Sequence, residues 1–148
     1  MQIHMIAAVI AIVALALAAA AFIILRRRKS FEWDDMDGHD FEFYCAGLLE
    51  KSGFLSVEVT RGSKDYGVDI LAEKDGVTYA IQCKCYTSPV GIKAVQEAYA
   101  GRDYYDRMVG VVMTNQYFTA PAVEVANKLK IMMWDRDYIE AMLEEENK

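Results

Sequence analysis

The sequence has few residues of the types that bind zinc or form disulfides. It contains two histidines and three cysteines, and neither His4 nor His39 has a partner at the spacing of zinc ligands. Cys83 and Cys85 lie two residues apart on one predicted strand, where side chains of the same face are poorly placed for an unstrained disulfide. A structural zinc site is therefore not predicted, and these cysteines, together with Cys45, are expected to be buried, reduced thiols.

Charged residues are absent from the first 25 positions, which argues against a secretion signal. Residues 5–25 form an uninterrupted apolar run, and the basic cluster at residues 26–29 follows it, whereas a signal peptide has its basic residues first. About 20 apolar residues in a helix, with a rise of about 1.5 Å each, span a hydrocarbon core of about 30 Å. The run is therefore predicted to be a membrane anchor, although the alanines at residues 18–21 leave a cleavage site open.

The basic cluster predicts which side of the bilayer the later residues occupy. Positively charged flanks stay in the cytoplasm, so we expect a single-pass protein of the cytoplasmic (inner) membrane with its domain in the cytoplasm. Glycine is absent from the apolar run, so no GxxxG motif supports pairing of two anchors. The predicted organisation is an anchor at residues 1–25, a linker at residues 26–36, and one domain with a single core at residues 37–148.

Basic residues are scarce in the predicted domain, which counts against binding to nucleic acid. All 22 acidic residues lie after Ser30, but only 12 of the 16 basic residues do, so this part has a net charge of −10. Proteins that bind nucleic acid usually have a basic surface. Five basic residues lie near the candidate site in sequence and could form a separate basic face: Arg61, Lys64, Lys84, Lys93 and Arg102. DNA binding without a metal is expected to be weak and sensitive to salt.

The most informative signal is an acid, an amide and an amine that a hairpin can bring together. Asp69 lies in one apolar run, Gln82 and Lys84 lie in the next, and the Lys-Asp-Gly at residues 74–76 predicts a turn between them. Residues two apart on a strand share a face, so Gln82 and Lys84 point the same way, and pairing can place Asp69 beside them. Phosphodiester hydrolysis requires oxygen ligands for a hard cation near a positive charge. A nuclease is therefore the leading hypothesis.

The remaining pattern predicts an α/β domain with a mixed sheet. Apolar residues at a helical period predict a helix from Gly38 to Lys51, and short apolar runs alternate with further helices as far as Leu143. The predicted order is α-β-β-β-α-β-α-β-α. An antiparallel hairpin followed by βαβ-type units makes a mixed sheet with helices on both faces.

An ordered set of short motifs runs through essentially all of residues 37–143. The motifs are DFE at residues 40–42, GF at 53–54, KDYGVDI at 64–70, AIQCKCY at 80–86, VG at 90–91 with VQE at 95–97, and TN at 114–115 with FT at 118–119. Together they resemble the Mrr-type branch of the restriction-endonuclease-like nucleases, the PD-(D/E)XK superfamily. The broader superfamily has a carboxylate at the position of Gln82, whereas glutamine is usual in this branch.

The resemblance implies a restriction-endonuclease-like αβββαβ core and Mg²⁺-dependent cleavage of DNA, with Mn²⁺ as a substitute metal. In that interpretation the metal ligands are Asp69, Gln82, Glu42 and the backbone carbonyl of Cys83. Lys84 then positions the attacking water or offsets charge on the phosphate. Contacts with DNA are assigned to Arg61, Lys64, Lys93 and Gln96. Cutting both strands needs two copies, which implies a homodimer.

Other interpretations of these residues and of the whole chain stay open. Asp69 is also compatible with an ordinary acid at a strand end, and Gln82 with a local hydrogen bond. Tyr99, Tyr104 and Tyr105 are expected to pack in the core rather than to stack on bases. The alternative functions are a membrane-attached DNA-binding tether with weak or no catalytic activity, and a partner-binding scaffold.

Overall fold

The structure is a computed structural model that describes residues 2–27, 31–60 and 66–146, and within the first of these ranges the side chains of residues 9–22. The chain divides into two compact units, Met1–Phe31 and Glu32–Lys148. The first unit contains helix α1 (Gln2–Arg27), whose described side chains are apolar and exposed. The predicted membrane anchor finds no support here: among the described residues, to which α1 contributes only the side chains of residues 9–22, no helix is long and apolar enough to cross a bilayer.

The second unit is a five-stranded mixed sheet flanked by helices. Its elements are a 3-10 helix (Glu32–Asp35), α2 (Gly38–Lys51), β1 (Leu55–Val59), β2 (Ile70–Lys74), β3 (Val77–Lys84), α3 (Ile92–Tyr104), β4 (Val109–Thr114), α4 (Ala120–Leu129), β5 (Ile131–Trp134) and α5 (Arg136–Glu146). The strands lie in the order β1-β2-β3-β4-β5. Pairing is antiparallel from β1 to β3 and parallel from β3 to β5. The predicted order of elements and the mixed sheet are confirmed.

The β2–β3 hairpin forms where the sequence predicts it. Asp75 (φ 53°) and Gly76 (φ 78°) make a two-residue loop in which both residues have left-handed backbone angles. Such loops match the twist of the flanking strands, and Asp-Gly is a favoured sequence for them. The register pairs Ile70 with Ile81, and the N–H of Asp69 donates to the Ile81 carbonyl at 2.8 Å. The pairing therefore carries Asp69 to the part of β3 where the other candidate residues lie.

The two faces of the sheet pack against different helices. On one face, Val112 of β4 lies in an apolar cluster with residues of α3 and α4 such as Ala126. Gln82 pairs with Val112 in parallel register and therefore points to that face. Cys83 points to the other face, where its thiol contacts Cys45 of α2. The even-numbered residues at the end of β3 thus face α3, and the odd-numbered ones face α2.

The three cysteines are free thiols, and two of the three are buried as the sequence predicts. Cys45 and Cys83 are buried, and Cys85 is half-buried. The hydrogen bond with the Cys45 thiol, together with burial, raises the pKa of Cys83 well above the usual value for a thiol. This thiol therefore stays protonated at neutral pH, and only the backbone carbonyl of Cys83 suits a hard cation.

The segment before α2 belongs to the folded unit. The sequence analysis placed residues 26–36 in a linker, but the 3-10 helix at Glu32–Asp35 buries Trp33 to 1% exposure. Asp34 forms an ion pair with Arg136 of α5 at 2.7 Å. The described part of the domain therefore begins at Glu32, because an apolar ring and an ion pair attach this acidic stretch to the domain.

Candidate active site

Asp69 lies at the entry to β2 and its carboxylate is almost entirely buried. Gly67 (φ 79°) turns the chain just before it. The Asp69 side chain is 6% exposed, and its Oδ2 accepts hydrogen bonds from the backbone N–H of Cys83 at 2.7 Å and from the amide of Gln82. A buried carboxylate is costly unless donors compensate for its lost hydration. These two N–H groups therefore stabilise the carboxylate and fix its position.

The side-chain amide of Gln82 contacts the Asp69 carboxylate. Its Nε2 donates to Oδ2 of Asp69 and lies 3.3 Å from the carbonyl oxygen of Cys83. A metal ligand at this position needs the amide oxygen rather than the nitrogen. A half-turn of the amide about the Cγ–Cδ bond exchanges the two atoms. Gln82 thus occupies the predicted place, and in this structure it holds Asp69.

Lys84 is the last residue of β3, and its ammonium forms an ion pair with a carboxylate on α3. Its Nζ lies 2.8 Å from Oε2 of Glu97, and the Lys84 side chain is 18% exposed. Burial on its own lowers the pKa of Lys84. The hydrogen bond and negative charge of Glu97, with smaller effects from Tyr86 and Asp69, outweigh burial and raise the pKa above the usual lysine value. Lys84 therefore stays positively charged at neutral and mildly alkaline pH.

Glu42 reaches the site from α2. The helix begins after Asp37, whose Oδ1 accepts the backbone N–H of Asp40 at 2.8 Å, and this cap places Glu42 in the second turn. The Glu42 carboxylate lies 3.2 Å from Nδ1 of His39, and its side chain is 22% exposed. Glu42 is therefore a partly solvated acid at the margin of the buried face of the helix.

The four side chains described above line one cavity of about 350 Å³. Its walls come from the start of α2, the entry to β2, the end of β3 and the middle of α3. The side chains of Asp69, Gln82, Lys84 and Glu42 line it, together with Cys83. The structure therefore brings together all the residues that the sequence analysis assigned to catalysis and metal binding.

The residues assigned to DNA contacts are less well placed. Lys93 is exposed, with its Nζ 3.9 Å from Oε1 of Glu97, and Gln96 is exposed and does not line the cavity. Arg61 and Lys64 lie outside the residues that the structure describes. Contact of these four residues with DNA stays a prediction.

Glu97 is a charged residue of the cavity that was not predicted to belong to the site. It belongs to the VQE motif, in which only Gln96 was considered for the site. The helical period offered a signal, because Glu97 lies three residues after Ala94 and beside Ala98, both of which are buried. Gln96, the residue before Glu97, projects from a different side of the helix and is exposed.

The comparison with known families agrees with this geometry. Residues 33–143, three quarters of the chain, match the Mrr_cat family model, which is described as restriction endonuclease. The chain belongs to the Mrr-type restriction endonuclease family. No curated protein matches the sequence.

Solved structures share the fold of this Mrr-type domain. A crystal structure of AF1548, a protein of unknown function, has a TM-score of 0.64 and 26% identity over 75% of this chain and 67% of that one. The DNA modification-dependent restriction endonuclease AspBHI has a TM-score of 0.59 and 20% identity, with 74% and 31% covered. The restriction endonuclease MspJI in complex with a 27-mer oligonucleotide has a TM-score of 0.50 and 21% identity, with 73% and 28% covered. This chain therefore spans about a third of the length of the two named endonucleases.

The donor atoms of the cavity fit the divalent metal that Mrr-type restriction endonucleases usually use. The cavity residues assigned to the metal offer two carboxylates (Asp69 and Glu42), one amide (Gln82) and one backbone carbonyl (Cys83), whose oxygens are donors of the kind that Mg²⁺ prefers. Within the described ranges, no group of three or more His, Cys, Asp or Glu side chains forms a metal site. A metal here would therefore depend on neutral oxygens as well as on carboxylates, and Mg²⁺ tolerates few protein ligands because it keeps several waters.

Gly67→Ala tests how closely α3 approaches the Asp69 segment. Gly67 has a φ of 79°, and an added Cβ would lie 2.6 Å from the backbone oxygen of Glu97. We expect this variant to lose about 2–4 kcal/mol of unfolding free energy, because the backbone angle and the clash both oppose the side chain. Urea denaturation measures the loss. Gly76→Ala is the matched control, since Gly76 has a similar φ of 78° but open space around it; equal losses in both variants would contradict the close approach.

Glu97→Gln tests the electrostatic coupling within the Mrr-type site. Without the Glu97 carboxylate, burial becomes the main effect on Lys84 and lowers its pKa. As the pH is raised, any activity that depends on the charged lysine should then be lost at a lower pH than in the wild type. A pH profile of DNA cleavage measures this shift, with the exposed Glu124→Gln as control. Identical alkaline limits in all three proteins would show that Glu97 does not set the charge of Lys84.

Proposed function

We propose that this chain is a metal-dependent endonuclease that hydrolyses phosphodiester bonds in DNA and acts in the restriction of foreign or modified DNA. The observation that supports the proposal most directly is the convergence of Asp69, Gln82 and Lys84 on one cavity. Burying a carboxylate close to an ion pair costs hydration, and a module that only binds DNA has no use for that arrangement. Hydrolysis uses both the acid and the ammonium.

Each residue of the cavity has a separate task in this proposal. Asp69, Glu42, the amide oxygen of Gln82 and the carbonyl of Cys83 would hold Mg²⁺ or Mn²⁺, which when bound supplies Lewis acidity and an activated water. The N–H of Cys83 holds the Asp69 carboxylate in place before substrate arrives. Lys84 donates hydrogen bonds to an oxygen of the attacked phosphate and offsets the negative charge that develops there.

DNA is the substrate that the relatives indicate. AspBHI is described as DNA modification-dependent, and the MspJI structure contains an oligonucleotide. The proposed contacts are Arg61, Lys64, Lys93 and Gln96. Because Arg61, Lys64 and Lys93 would neutralise phosphates and release counterions, we expect affinity for DNA to fall as salt rises, and the net charge of −10 of residues 30–148 to keep that affinity weak.

Membrane attachment and dimerisation complete the proposal and rest on the sequence. Residues 5–25 would tether the domain to the cytoplasmic face of the inner membrane, with the exposed apolar side chains of residues 9–22 against lipid. Extraction of membranes with alkaline carbonate tests the tether, and release of the chain into the wash would contradict it. A second copy of the chain would supply the cut in the other strand.

Plasmid cleavage tests the proposed activity. The full-length chain, purified in mild detergent, is incubated at low salt with supercoiled plasmid, either unmodified or cytosine-methylated, in Mg²⁺, Mn²⁺ or EDTA. We expect nicked or linear product in the divalent metals and none in EDTA, because the cavity is built from metal-binding oxygens.

The other outcomes separate the alternative functions. Retention of DNA in a gel shift, without cutting of either plasmid in any metal, would replace the endonuclease by a catalytically inactive DNA tether. Failure both to cut and to retain DNA, with the protein folded by circular dichroism, would favour a partner-binding scaffold. Equal cutting in EDTA would contradict metal dependence.

A further inference from the structure

Two tyrosines beside the cavity form an exposed stacked pair. The rings of Tyr66 and Tyr104 have centroids 3.8 Å apart and an interplanar angle of 23°, and the side chains are 52% and 56% exposed. The sequence analysis expected Tyr104 to pack in the core, and this expectation is wrong. Tyr105 is the half-buried neighbour that packs against the apolar cluster of Val68. Each ring covers one face of the other, and the exposed remainder of the two rings is an available aromatic surface.

The backbone holds this pair in place. An added Cβ on Gly101 of α3 would lie 2.9 Å from the backbone oxygen of Tyr66, and one on Gly67 would lie 2.6 Å from the backbone oxygen of Glu97. Tyr66 itself has a φ of 49°, in the left-handed region that disfavours residues other than glycine, asparagine and aspartate. Glycine or asparagine would suit the backbone of residue 66 better, so the conformation of the turn does not explain an exposed tyrosine there.

The stacked pair adjoins the cavity in two ways. Tyr66 is bonded to Gly67, which lines the cavity, and Tyr104 lies two helical turns after Glu97, about 10 Å along α3. At about 3.4 Å per stacked nucleotide, a DNA strand that enters the cavity can reach the pair within about three nucleotides.

We propose that the Tyr66–Tyr104 pair is a stacking site for an unpaired DNA base next to the cavity. The proposal rests on the proposed function, since it takes DNA as the ligand. A neutral aromatic surface can contribute affinity that a domain with a net charge of −10 does not gain from phosphate attraction. Stacking also accepts any base, because every base presents a π-face.

Binding of short oligonucleotides tests the stacking site without requiring cleavage. The full-length protein is titrated, in EDTA and in Ca²⁺, against a fluorescein-labelled single-stranded 12-mer and its duplex, with fluorescence anisotropy as the readout. Tyr66→Asn and Tyr104→Ala are each expected to weaken single-strand binding roughly 5- to 100-fold and duplex binding less. Asparagine suits the left-handed backbone at residue 66, so that variant should keep or raise the melting temperature.

Matched variants separate stacking from a general loss of structure. Tyr66→Phe and Tyr104→Phe keep the rings and should bind as the wild type does. Tyr138→Ala removes an exposed ring that stacks on the buried Trp134 of β5, and should leave the affinity unchanged. Equal single-strand affinity of Tyr66→Asn, Tyr104→Ala and wild type would overturn the stacking site and leave the endonuclease standing. Absence of binding by the wild type to either oligonucleotide would overturn both.

Discussion

Asp69→Asn is expected to lower the rate of plasmid cleavage by at least about 10³-fold and to leave the fold intact. Asparagine keeps the size of the side chain and one oxygen that can accept the N–H of Cys83, so the packing at the entry to β2 survives. It removes the negative charge that a divalent metal needs from its principal protein ligand. Initial rates of nicking in Mg²⁺ measure the loss of activity. The free energy of unfolding, measured by thermal denaturation, is expected to change by no more than about 1 kcal/mol.

The matched control for Asp69 lies on the same hairpin. Asp75→Asn also removes one negative charge, but at an exposed turn residue where asparagine is favoured. We expect this control to cut at the wild-type rate. Affinity for DNA in EDTA adds a second readout, because removing a buried negative charge should leave it equal or higher. Normal cleavage by Asp69→Asn would show that the cavity is not the catalytic site.

The convergence of Asp69, Gln82 and Lys84 could be predicted because each step depends on nearby residues. The Asp-Gly turn sets the hairpin register, and the two-residue period of a strand decides which side chains share a face. The helical period of α2 places Glu42 at the margin of the buried face, but its assignment to the metal came from the family resemblance. Local rules therefore account for Asp69, Gln82 and Lys84, and the resemblance for Glu42.

Residues whose partners lie far away in sequence were placed less well. Asp34 pairs with Arg136, 102 residues later, so an acidic stretch that resembles a linker forms part of the domain. The two neighbours Gln96 and Glu97 differ by one helical step, and only the ion pair with Lys84 on another element shows which one faces the cavity. Hydrophobic period indicates the buried face of a helix, but it does not identify the partner of a polar side chain at the margin of that face.

The final turn of α3 shows a second limit of sequence patterns. Tyr104 and Tyr105 are adjacent aromatic residues, yet Tyr104 is exposed and Tyr105 is half-buried. Composition treats them alike, but Tyr105 packs against the apolar cluster of Val68, whereas Tyr104 stacks on the exposed Tyr66, 38 positions earlier. The exposed pair forms because the turn at Tyr66 lies beside the end of α3, and a local sequence pattern does not predict that contact.

Lys84→Met is expected to lower cleavage by about 10²- to 10⁴-fold. Methionine keeps the apolar stem of the side chain in the strand but removes the ammonium that would contact the phosphate. It also leaves the Glu97 carboxylate, 29% exposed, without this ion pair, so the variant should lose some stability. Initial rates of plasmid nicking and urea denaturation measure the two effects separately.

A double variant decides whether the loss of activity is catalytic or structural. Lys84→Met combined with Glu97→Gln removes both charges of the pair, so it should recover stability relative to Lys84→Met but not cleavage. Lys128→Met is the control, because it removes a positive charge from an exposed position on α4. If the double variant recovers cleavage together with stability, Lys84 acts by holding the fold. If cleavage stays low in a stable protein, the ammonium itself acts on the substrate, and Glu97 serves to keep it charged and in place.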